Sequence, residues 1–339
     1  MRPQRVVTRR DFLRIVGATS VAGLAALALG KNERTAASLH TVTETRLLMG
    51  TVVNLTLSTP DRHAGQLAIG ACLDHMSALE SVLSRYQPTS QLSRLNRAGV
   101  LEAANPHLMT VLREAARISA LTDGAFDITI KPLVDLYQNS VSAGQGLPSK
   151  ERITSALTRV GYQNVTIQDG VVMFSQPGMS ITLDGIAKGY IVDEGTRILR
   201  QYGYHNVLVE AGGDLLASGV KAQGAPWRIG LQSPRGDNAE LLLTFGVTEQ
   251  AAATSGDYMQ PYSDTLAVHH ILDPRTGVSS PELASATVLA KSGIEADALA
   301  TALMVMEPDR GLTLIDSIPA CEAYLVTKEL RVLRSSGLA

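Results

Sequence analysis

The sequence has 339 residues, of which 45% are hydrophobic and 18% are charged, and its 30 Lys and Arg residues nearly balance 32 Asp and Glu. This composition excludes a disordered chain, because there is enough apolar side-chain area to form a large core. The formal charge of −2 lacks the basic excess of nucleic-acid-binding proteins, so no nucleic-acid partner is expected. The two cysteines, Cys72 and Cys321, are too few for a disulfide framework or a thiolate zinc site.

Residues 1–37 are predicted to be an export signal. Arg9 and Arg10 precede an apolar run from Ile15 to Leu29 that contains no acidic residue. The paired arginines are typical of a twin-arginine signal, and the run is shorter than the roughly 20 apolar residues that span a bilayer. We therefore expect the twin-arginine (Tat) export machinery to carry the folded protein to the periplasm. An uncleaved signal would leave the protein associated with the membrane.

The first part of the remaining chain, residues 38–339, is predicted to be mostly helical. We expect a strand over 51–57 and helices over 64–86, from 106 to about 123, and from 150 to about 160. Asn105-Pro106 supplies an N-cap followed by a proline in the first turn, and Ser149 is a second predicted N-cap. Residues 138–149 are predicted to be a surface loop and are the candidate internal boundary. On helix 64–86 the residues expected to face the core are Leu67, Ala71, Met76, Leu79 and Leu83, with Cys72 as a buried thiol beside them.

The second part is predicted to be rich in short strands. Strands are expected over 165–167, 171–174, 180–183, 207–209, 227–231, 241–245 and 287–289, and helices over 186–202, 294–306 and 308–316. Strands in series with helices grouped between them indicate an α+β fold rather than regular βαβ alternation.

Asp297 and Thr301 are candidate metal ligands. The sequence contains none of the common dinucleotide, triphosphate, zinc-protease or serine-hydrolase motifs, so its oxygen-rich segments are the remaining candidates for a functional site. Asp297 and Thr301 lie four residues apart on a predicted helix and therefore share one face. A carboxylate and a hydroxyl suit Mg²⁺. The alternative is local: an Asp near a helix start is favoured by the helix dipole, and a Thr can bond back to an earlier carbonyl.

The segment from Asp184 to Lys188 is a second candidate site, because a strand is predicted to end there and a helix to begin. Free backbone N–H groups and Lys188 at a helix start suit a phosphorylated ligand. The alternatives are that Asp184 caps the helix and that Lys188 is solvated. Gly189 and Gly195, inside the same helix, each cost about 1 kcal/mol relative to alanine, which predicts close backbone packing there.

Two further segments carry turn residues and histidines. Gly212-Gly213 before Asp214 is typical of a tight turn, and Asp273 to Gly277 is turn chemistry as well. His269 and His270 lie on a predicted extended segment, whose alternation would direct one ring inward and leave the other exposed.

These segments, in this order, resemble the ApbE family of FAD:protein FMN transferases. The resemblance covers about residues 46–330. The matching motifs are residues 49–51, 84–86, 90–96, 124–127, 132–134, 185–190, 212–214, 254–258, 270–277 and 296–301.

The resemblance implies a T-fold-like α+β architecture, with mixed or antiparallel sheets and packed helices, and an FAD site that requires Mg²⁺. Members cleave the FAD pyrophosphate, transfer FMN to a threonine or serine hydroxyl of an acceptor protein and release AMP. It implies metal binding by the Asp297 and Thr301 side chains and the Gly185 carbonyl, with His270 as candidate general base. The residues that it places in contact with FAD are Met49, Tyr86, Ala125, Phe126, Asp127, Lys188 and His270.

The sequence departs from the family pattern at two positions. Thr182 stands where the family usually has an FAD-contacting aspartate, and it is a candidate FAD-contacting residue because its hydroxyl can still donate and accept hydrogen bonds. The carboxylate is missing unless Asp184 substitutes from a shifted position. Ala300 stands where some members have an additional acidic metal ligand and others have alanine. Two alternatives remain: an FAD pyrophosphatase, in which water replaces the acceptor hydroxyl, and a non-catalytic FAD-binding or carrier protein, which is favoured if the change at Thr182 prevents catalysis while binding persists.

The segment from Thr182 to Ala187, together with the twin-arginine signal, resembles the NosX-type branch of the family. That resemblance implies a NosR-like membrane protein as the FMN acceptor, and an Rnf/Nqr-like membrane redox subunit is the other acceptor class expected.

Overall fold

A computed structural model describes residues 39–221, 224–236 and 240–338 of the chain. Up to residue 174 the elements are β1 (His40–Leu48), β2 (Thr51–Thr59), α1 (Arg62–Leu83), α2 (Gln91–Ala98), β3 (Val100–Leu101), α3 (Pro106–Leu121), α4 (Lys131–Ser142), α5 (Lys150–Leu157), β4 (Val165–Gln168) and β5 (Val171–Phe174). Beyond it follow α6 (Ala187–Gln201), β6 (Val207–Ala211), β7 (Asp214–Ser218), β8 (Trp227–Gln232), β9 (Leu241–Val247), β10 (Gln250–Gly256), β11 (Leu283–Ala290), α7 (Gly293–Leu303), α8 (Pro308–Asp316), β12 (Glu322–Thr327) and β13 (Val332–Arg334).

An antiparallel sheet of eight strands organises the fold, in the order β1-β2-β6-β7-β10-β11-β12-β13. Helices α1, α6 and α7 pack on one face of it, α1 against β2, α6 against β6 and β7, and α7 against β10 and β11. The β8–β9 hairpin packs through Trp227 and Leu231 against residues of β7, β10, β11 and β12. Because β7 and β11 have neighbours on both faces, every residue in them is buried, whereas β2 alternates between buried and half-buried residues. The α+β prediction is confirmed.

Side-chain caps fix the starts of several helices where the sequence predicted them. Asn105 accepts a hydrogen bond from the His107 N–H at the start of α3, and Ser149 does the same for the Arg152 N–H at α5. The predicted core face of α1 was partly wrong, since Leu67 is 60% exposed. Met76, Leu79 and Leu83 are buried as predicted, whereas Ala68 and Cys72 take the places expected for Leu67 and Ala71. The buried residues of α1 are Gly65, Ala68, Ile69, Cys72, Leu73, Met76, Leu79 and Leu83.

Two predicted elements differ in the structure. Residues 180–183 form no strand, because Asn96 bonds the Ile181 N–H and carbonyl through its side chain and the Thr182 N–H donates to the Ile128 carbonyl. The loop predicted over 138–149 is shorter, since α4 continues to Ser142. The predicted export signal, residues 1–37, lies outside the described residues. Of the helices that the structure does describe, none combines the length and the hydrophobicity needed to cross a bilayer.

Helices α6 and α7 approach each other at a pair of glycines. A Cβ atom on Gly189 would lie 2.0 Å from the Gly293 carbonyl oxygen, and one on Gly293 would lie 2.5 Å from the Gly189 oxygen. Farther along α6, a Cβ on Gly195 would meet the sulfur atoms of Met76 and Cys72 at 3.1 and 3.2 Å. The predicted close packing at Gly189 and Gly195 is therefore confirmed, and it sets how the first turns of α6 and α7 face each other.

Candidate active site

Lys188, in the first turn of α6, forms an ion pair with Asp214, the first residue of β7. The turn before β7 directs Asp214 inward, since Gly212 and Gly213 have φ of 60° and 101°, which glycine adopts without strain. Asp214 is 1% exposed. Burial alone would lower the pKa of Lys188, but the charges of Asp214 and Asp297 outweigh it and raise that pKa above its usual value. Lys188 is therefore a fixed cation and not a solvated surface lysine.

The three predicted metal ligands lie together beside this ion pair. The Gly189 N–H donates to Asp297 Oδ2 at 3.0 Å, and Thr301 Oγ1 lies 3.1 Å from Ser255 Oγ on β10. Gly185 packs directly on Thr301, because a Cβ atom at position 185 would lie only 2.7 Å from Thr301 Oγ1. The loop before α6 and one face of α7 thus bring Gly185, the Asp297 carboxylate and the Thr301 hydroxyl to the same place.

The electrostatics of Asp297 favour a bound cation. Burial raises the pKa of Asp297 to about 7, and the neighbouring Asp214 adds to the effect while Lys188 opposes it. Two buried carboxylates share one lysine, so a divalent cation would supply the missing positive charge. Oxygen donors are the ligands that Mg²⁺ prefers, and the residues present therefore fit it. Ala300, at the second departure position, is fully buried in the core.

A second charged group lies at the entrance to α6. Arg85 Nε donates to Asp184 Oδ2 at 2.7 Å, and the Tyr86 hydroxyl donates to the same oxygen at 3.2 Å. The Arg85 guanidinium also lies over the Tyr86 ring, 4.4 Å from its centroid. Asp184 does not cap α6, because Ile186 occupies the N-cap position without any side-chain cap bond. Tyr86 is 65% exposed, so its ring is open to an aromatic ligand.

His270 faces both charged groups from the loop between β10 and β11. Its pKa is lowered to about 4 by burial; Asp184 opposes this shift, and Lys188 and Arg85 add to it. Among the described residues, its buried Nδ1 atom has no hydrogen-bond partner. His270 is thus a neutral imidazole at pH 7, the form that a proton acceptor requires.

The prediction that one of the two adjacent histidines is exposed was wrong. His269 is fully buried and His270 is half-buried, because the segment is irregular and strand alternation does not apply to it. Burial lowers the pKa of His269 to about 4 as well, and neither of its ring nitrogens has a partner in the part of the chain described.

The remaining predicted FAD-contacting residues have mainly local partners. Met49 occupies the two-residue turn between β1 and β2 with φ of 53°, and its N–H donates to Glu80 Oε2 at 3.1 Å. Ala125 and Phe126 are buried in the main core. The Asp127 carboxylate accepts hydrogen bonds from Thr129 N, Thr129 Oγ1 and Tyr162 N at 2.8, 2.6 and 2.9 Å.

Two of these residues connect to the site through the backbone. The Thr182 N–H donates to the Ile128 carbonyl, and Thr182 Oγ1 accepts from the Asp184 N–H at 3.2 Å, so the chain around Asp127 is tied to the loop before α6. The Met49 turn lies beside the turn that precedes Asp214, since the Gly212 N–H donates to the Val52 carbonyl. The structure thus brings Gly185, Lys188, His270, Asp297 and Thr301 together, with Tyr86 joined to them through Asp184.

Sequence reasoning assigned no site role to Arg85, Asp214 or Ser255. Each lies inside one of the motifs that match the family. A buried lysine needs an acidic partner, and this need was the physical signal that could have indicated a site role for Asp214. Which acidic residue provides it depends on the pairing of distant segments.

Comparisons with known proteins agree with this architecture. The family model described as the ApbE family matches residues 49–325. The FAD:protein FMN transferase of Vibrio cholerae is 34% identical over 277 residues, covering 79% of this chain and 82% of the relative, and that of Escherichia coli K12 is 30% identical over 75% of each.

Solved structures give the same result. The flavin transferase ApbE from Vibrio cholerae superposes with a TM-score of 0.75 at 31% identity, covering 88% of this chain and 98% of that one. The ApbE protein of Thermotoga maritima superposes with a TM-score of 0.79 at 30% identity, covering 89% and 98%. The fold is that of the ApbE flavin transferases, and this chain belongs to the ApbE family. Its curated relatives are transferases, and it is an enzyme of that class.

Proposed function

We propose that this chain is an exported, Mg²⁺-dependent flavin transferase that cleaves the FAD pyrophosphate, attaches FMN covalently to a threonine or serine of an acceptor protein and releases AMP. One observation carries the proposal: a cationic lysine, candidate metal ligands and a neutral histidine lie close together. These residues are Lys188, Gly185, Asp297, Thr301 and His270. The names of the curated relatives support the flavin-transfer part of this proposal.

The transfer reaction gives His270, Lys188 and Tyr86 separate roles. The acceptor hydroxyl oxygen bonds to the FMN phosphorus, the bond from that phosphorus to the bridging oxygen breaks, and AMP leaves with that oxygen. His270 takes the hydroxyl proton, and Lys188, held by Asp214, stabilises the negative charge that builds on the pyrophosphate oxygens. Held by Asp297, Thr301 and the Gly185 carbonyl, Mg²⁺ would supply Lewis-acid neutralisation of the same charge. Tyr86 offers an exposed ring to the flavin or the adenine.

The acceptor and the location form the finer part of the proposal. Arg9-Arg10 and the apolar run after it support Tat export to the periplasm. The Thr182–Ala187 segment supports the NosX-type branch, with a NosR-like membrane protein as acceptor and an Rnf/Nqr-like redox subunit as the other class to test. Replacement of Arg9 and Arg10 by lysine should keep the protein out of the periplasmic fraction, and unchanged fractionation would reject the export part.

One assay tests the activity. The full chain is incubated with FAD, Mg²⁺ and the soluble domain of a candidate acceptor, and acceptor mass and AMP are followed together. An acceptor that gains the mass of FMN as AMP is released supports transfer, and a Thr→Ala acceptor is the matched control. AMP without an adduct, for every acceptor tested, would instead indicate an FAD pyrophosphatase. FAD retained without either product would indicate a carrier, for which the Thr182 departure gives the physical reason.

A further inference from the structure

Three side chains of the types that ligate metals converge on the helical face of the fold, away from Lys188. They are His75 of α1, His107 of α3 and Glu194 of α6, and each offers one ligand atom within 4.8 Å of the other two. His75 Nε2 lies 3.3 Å from Glu194 Oε2, and His107 Nδ1 lies 3.9 Å from the same oxygen. Helices from three separate parts of the chain are needed to bring these groups together.

The spacing suits a small four-coordinate ion. Zinc binds imidazole nitrogen and carboxylate oxygen at about 2.0–2.2 Å, so its tetrahedral ligand atoms lie roughly 3.3–3.5 Å from one another. The two separations from Glu194 Oε2, 3.3 and 3.9 Å, need at most roughly half an ångström of adjustment, and the ligand nitrogens of the two histidines lie within 4.8 Å of each other. The side chains of His75, His107 and Glu194 are 25%, 32% and 14% exposed, so an ion and a water ligand have access from solvent.

Two neighbouring residues of α6, Arg197 and Tyr190, hold the side chains of Glu194 and His107 in place. Arg197 binds both Glu194 oxygens, through Nε at 3.0 Å to each and through Nη2 at 2.8 Å to Oε2, and an ion bound through Oε2 would leave Arg197 its contact with Oε1. The Tyr190 hydroxyl lies 2.6 Å from His107 Nδ1, the ring nitrogen nearest Glu194, so an ion bound by this nitrogen would replace that hydrogen bond. Tyr190 and Glu194 are both on α6, the helix that also carries Lys188. Lys188 precedes Glu194 by about 9 Å along the helix axis.

The donor chemistry separates this cluster from the oxygen site at Asp297. Two imidazoles and one carboxylate favour zinc-class ions over Mg²⁺, which prefers oxygen alone. We propose that His75, His107 and Glu194 form a second metal site, which binds Zn²⁺ or a similar first-row ion through three protein ligands and keeps a fourth position for water. The bound ion links α1, α3 and α6, and thereby stabilises the position of α6, the helix that carries Lys188.

Cobalt binding tests the proposal independently of flavin transfer. The full chain, purified without a polyhistidine tag, is titrated with Co²⁺, whose visible absorption is intense in tetrahedral sites and weak in octahedral oxygen sites. We expect one equivalent with the tetrahedral spectrum, retained in an Asp297→Ala chain, which lacks a ligand of the oxygen site. His107→Ala and Glu194→Gln should each weaken binding at least about tenfold. His63→Ala, an exposed histidine on the same helix as His75, is the matched control and should leave binding unchanged.

Zinc should displace the cobalt and stabilise the fold. At Zn²⁺ about 100-fold above its dissociation constant, the unfolding midpoint should rise by roughly 4 °C, and the rise should disappear in His107→Ala. The absence of a tetrahedral spectrum in the unsubstituted chain would overturn the proposal whatever the variants do. Equal cobalt affinity in His107→Ala and His63→Ala would overturn it too, since the ion would then be held elsewhere.

Discussion

The contact between α6 and α7 at Gly189 leads to a graded prediction for alanine substitution. In Gly189→Ala, the new Cβ would lie 2.0 Å from the Gly293 carbonyl oxygen, whereas real Cβ contacts are essentially never shorter than 3.0 Å. The helices must therefore separate by about 1 Å, because the obstacle is backbone and cannot rotate away. That movement breaks the hydrogen bond from the Gly189 N–H to Asp297 Oδ2, now 3.0 Å long.

Two terms set the size of the effect. Overpacking costs about 1–3 kcal/mol, and a buried carboxylate that loses a hydrogen bond costs a further 1–3 kcal/mol. We expect Gly189→Ala to lose more than about 3 kcal/mol of unfolding free energy, a large part of a typical total of 5–15 kcal/mol.

Two other glycines of the helical layer provide matched controls. A Cβ atom on Gly70 of α1 would have no other atom within 4 Å, so Gly70→Ala should stabilise the protein by up to about 1 kcal/mol. Gly195→Ala meets only flexible methionine and cysteine side chains and should fall between the two. Urea unfolding of the three variants without ligands measures the series. A Gly189→Ala protein as stable as Gly70→Ala would refute the reasoning, since the close contact would then carry no constraint.

Three other outcomes follow from the site. Asp297→Ala should abolish turnover by removing a metal ligand; measured across a Mg²⁺ titration, unchanged activity at limiting Mg²⁺ would discard the assignment. His270→Ala should slow transfer much more than it weakens FAD binding, and equal losses in single-turnover rate and FAD affinity would make His270 a binding residue only. Finally, His269 stays neutral in the folded protein to about pH 4 but takes up a proton near pH 6.5 when unfolded, so unfolding free energy should fall as pH drops from 6.5 to 4. The shift implies a loss of about 3 kcal/mol at most from this group, and the difference between the pH–stability curves of the unsubstituted and His269→Leu proteins isolates it; parallel curves would contradict it.

Local signals in the sequence predicted the helices that carry the site. Each of these signals lies within one or two helical turns. They are the Asn105-Pro106 start of α3, the glycines of α6 and the i, i+4 pair on α7. The family motifs added Gly185 and His270, which no local pattern would have connected to Asp297. The assignment of Met49, Tyr86, Ala125, Phe126, Asp127, Thr182, Lys188 and His270 to FAD contact stays a prediction, as does metal binding by Gly185, Asp297 and Thr301.

The strands were harder to predict, for an identifiable physical reason. β10 reads Gln-Ala-Ala-Ala-Thr-Ser-Gly, and its small residues suit the close packing of α7 but lack the β-branched alternation that marks a strand. β1 carries Glu44 and Arg46 on an exposed edge, so it looks polar and irregular. The pairings of Lys188 with Asp214 and of Arg85 with Asp184 join residues far apart in the chain, and only the tertiary fold decides them.

The strand order also determines how the chain must assemble. From β6 to β13, neighbours in the large sheet lie fairly close along the chain, but β2 pairs with β6 across about 150 intervening residues that include α1 to α6. Closing so long a loop has a large entropic cost, so we expect the β6–β13 part to form first and the β1–β2 hairpin to dock last. Pulse-labelling hydrogen exchange should then find the amides of β10 and β11 protected before those of β2. Met49, in the turn of that hairpin, would be among the last residues to reach the site.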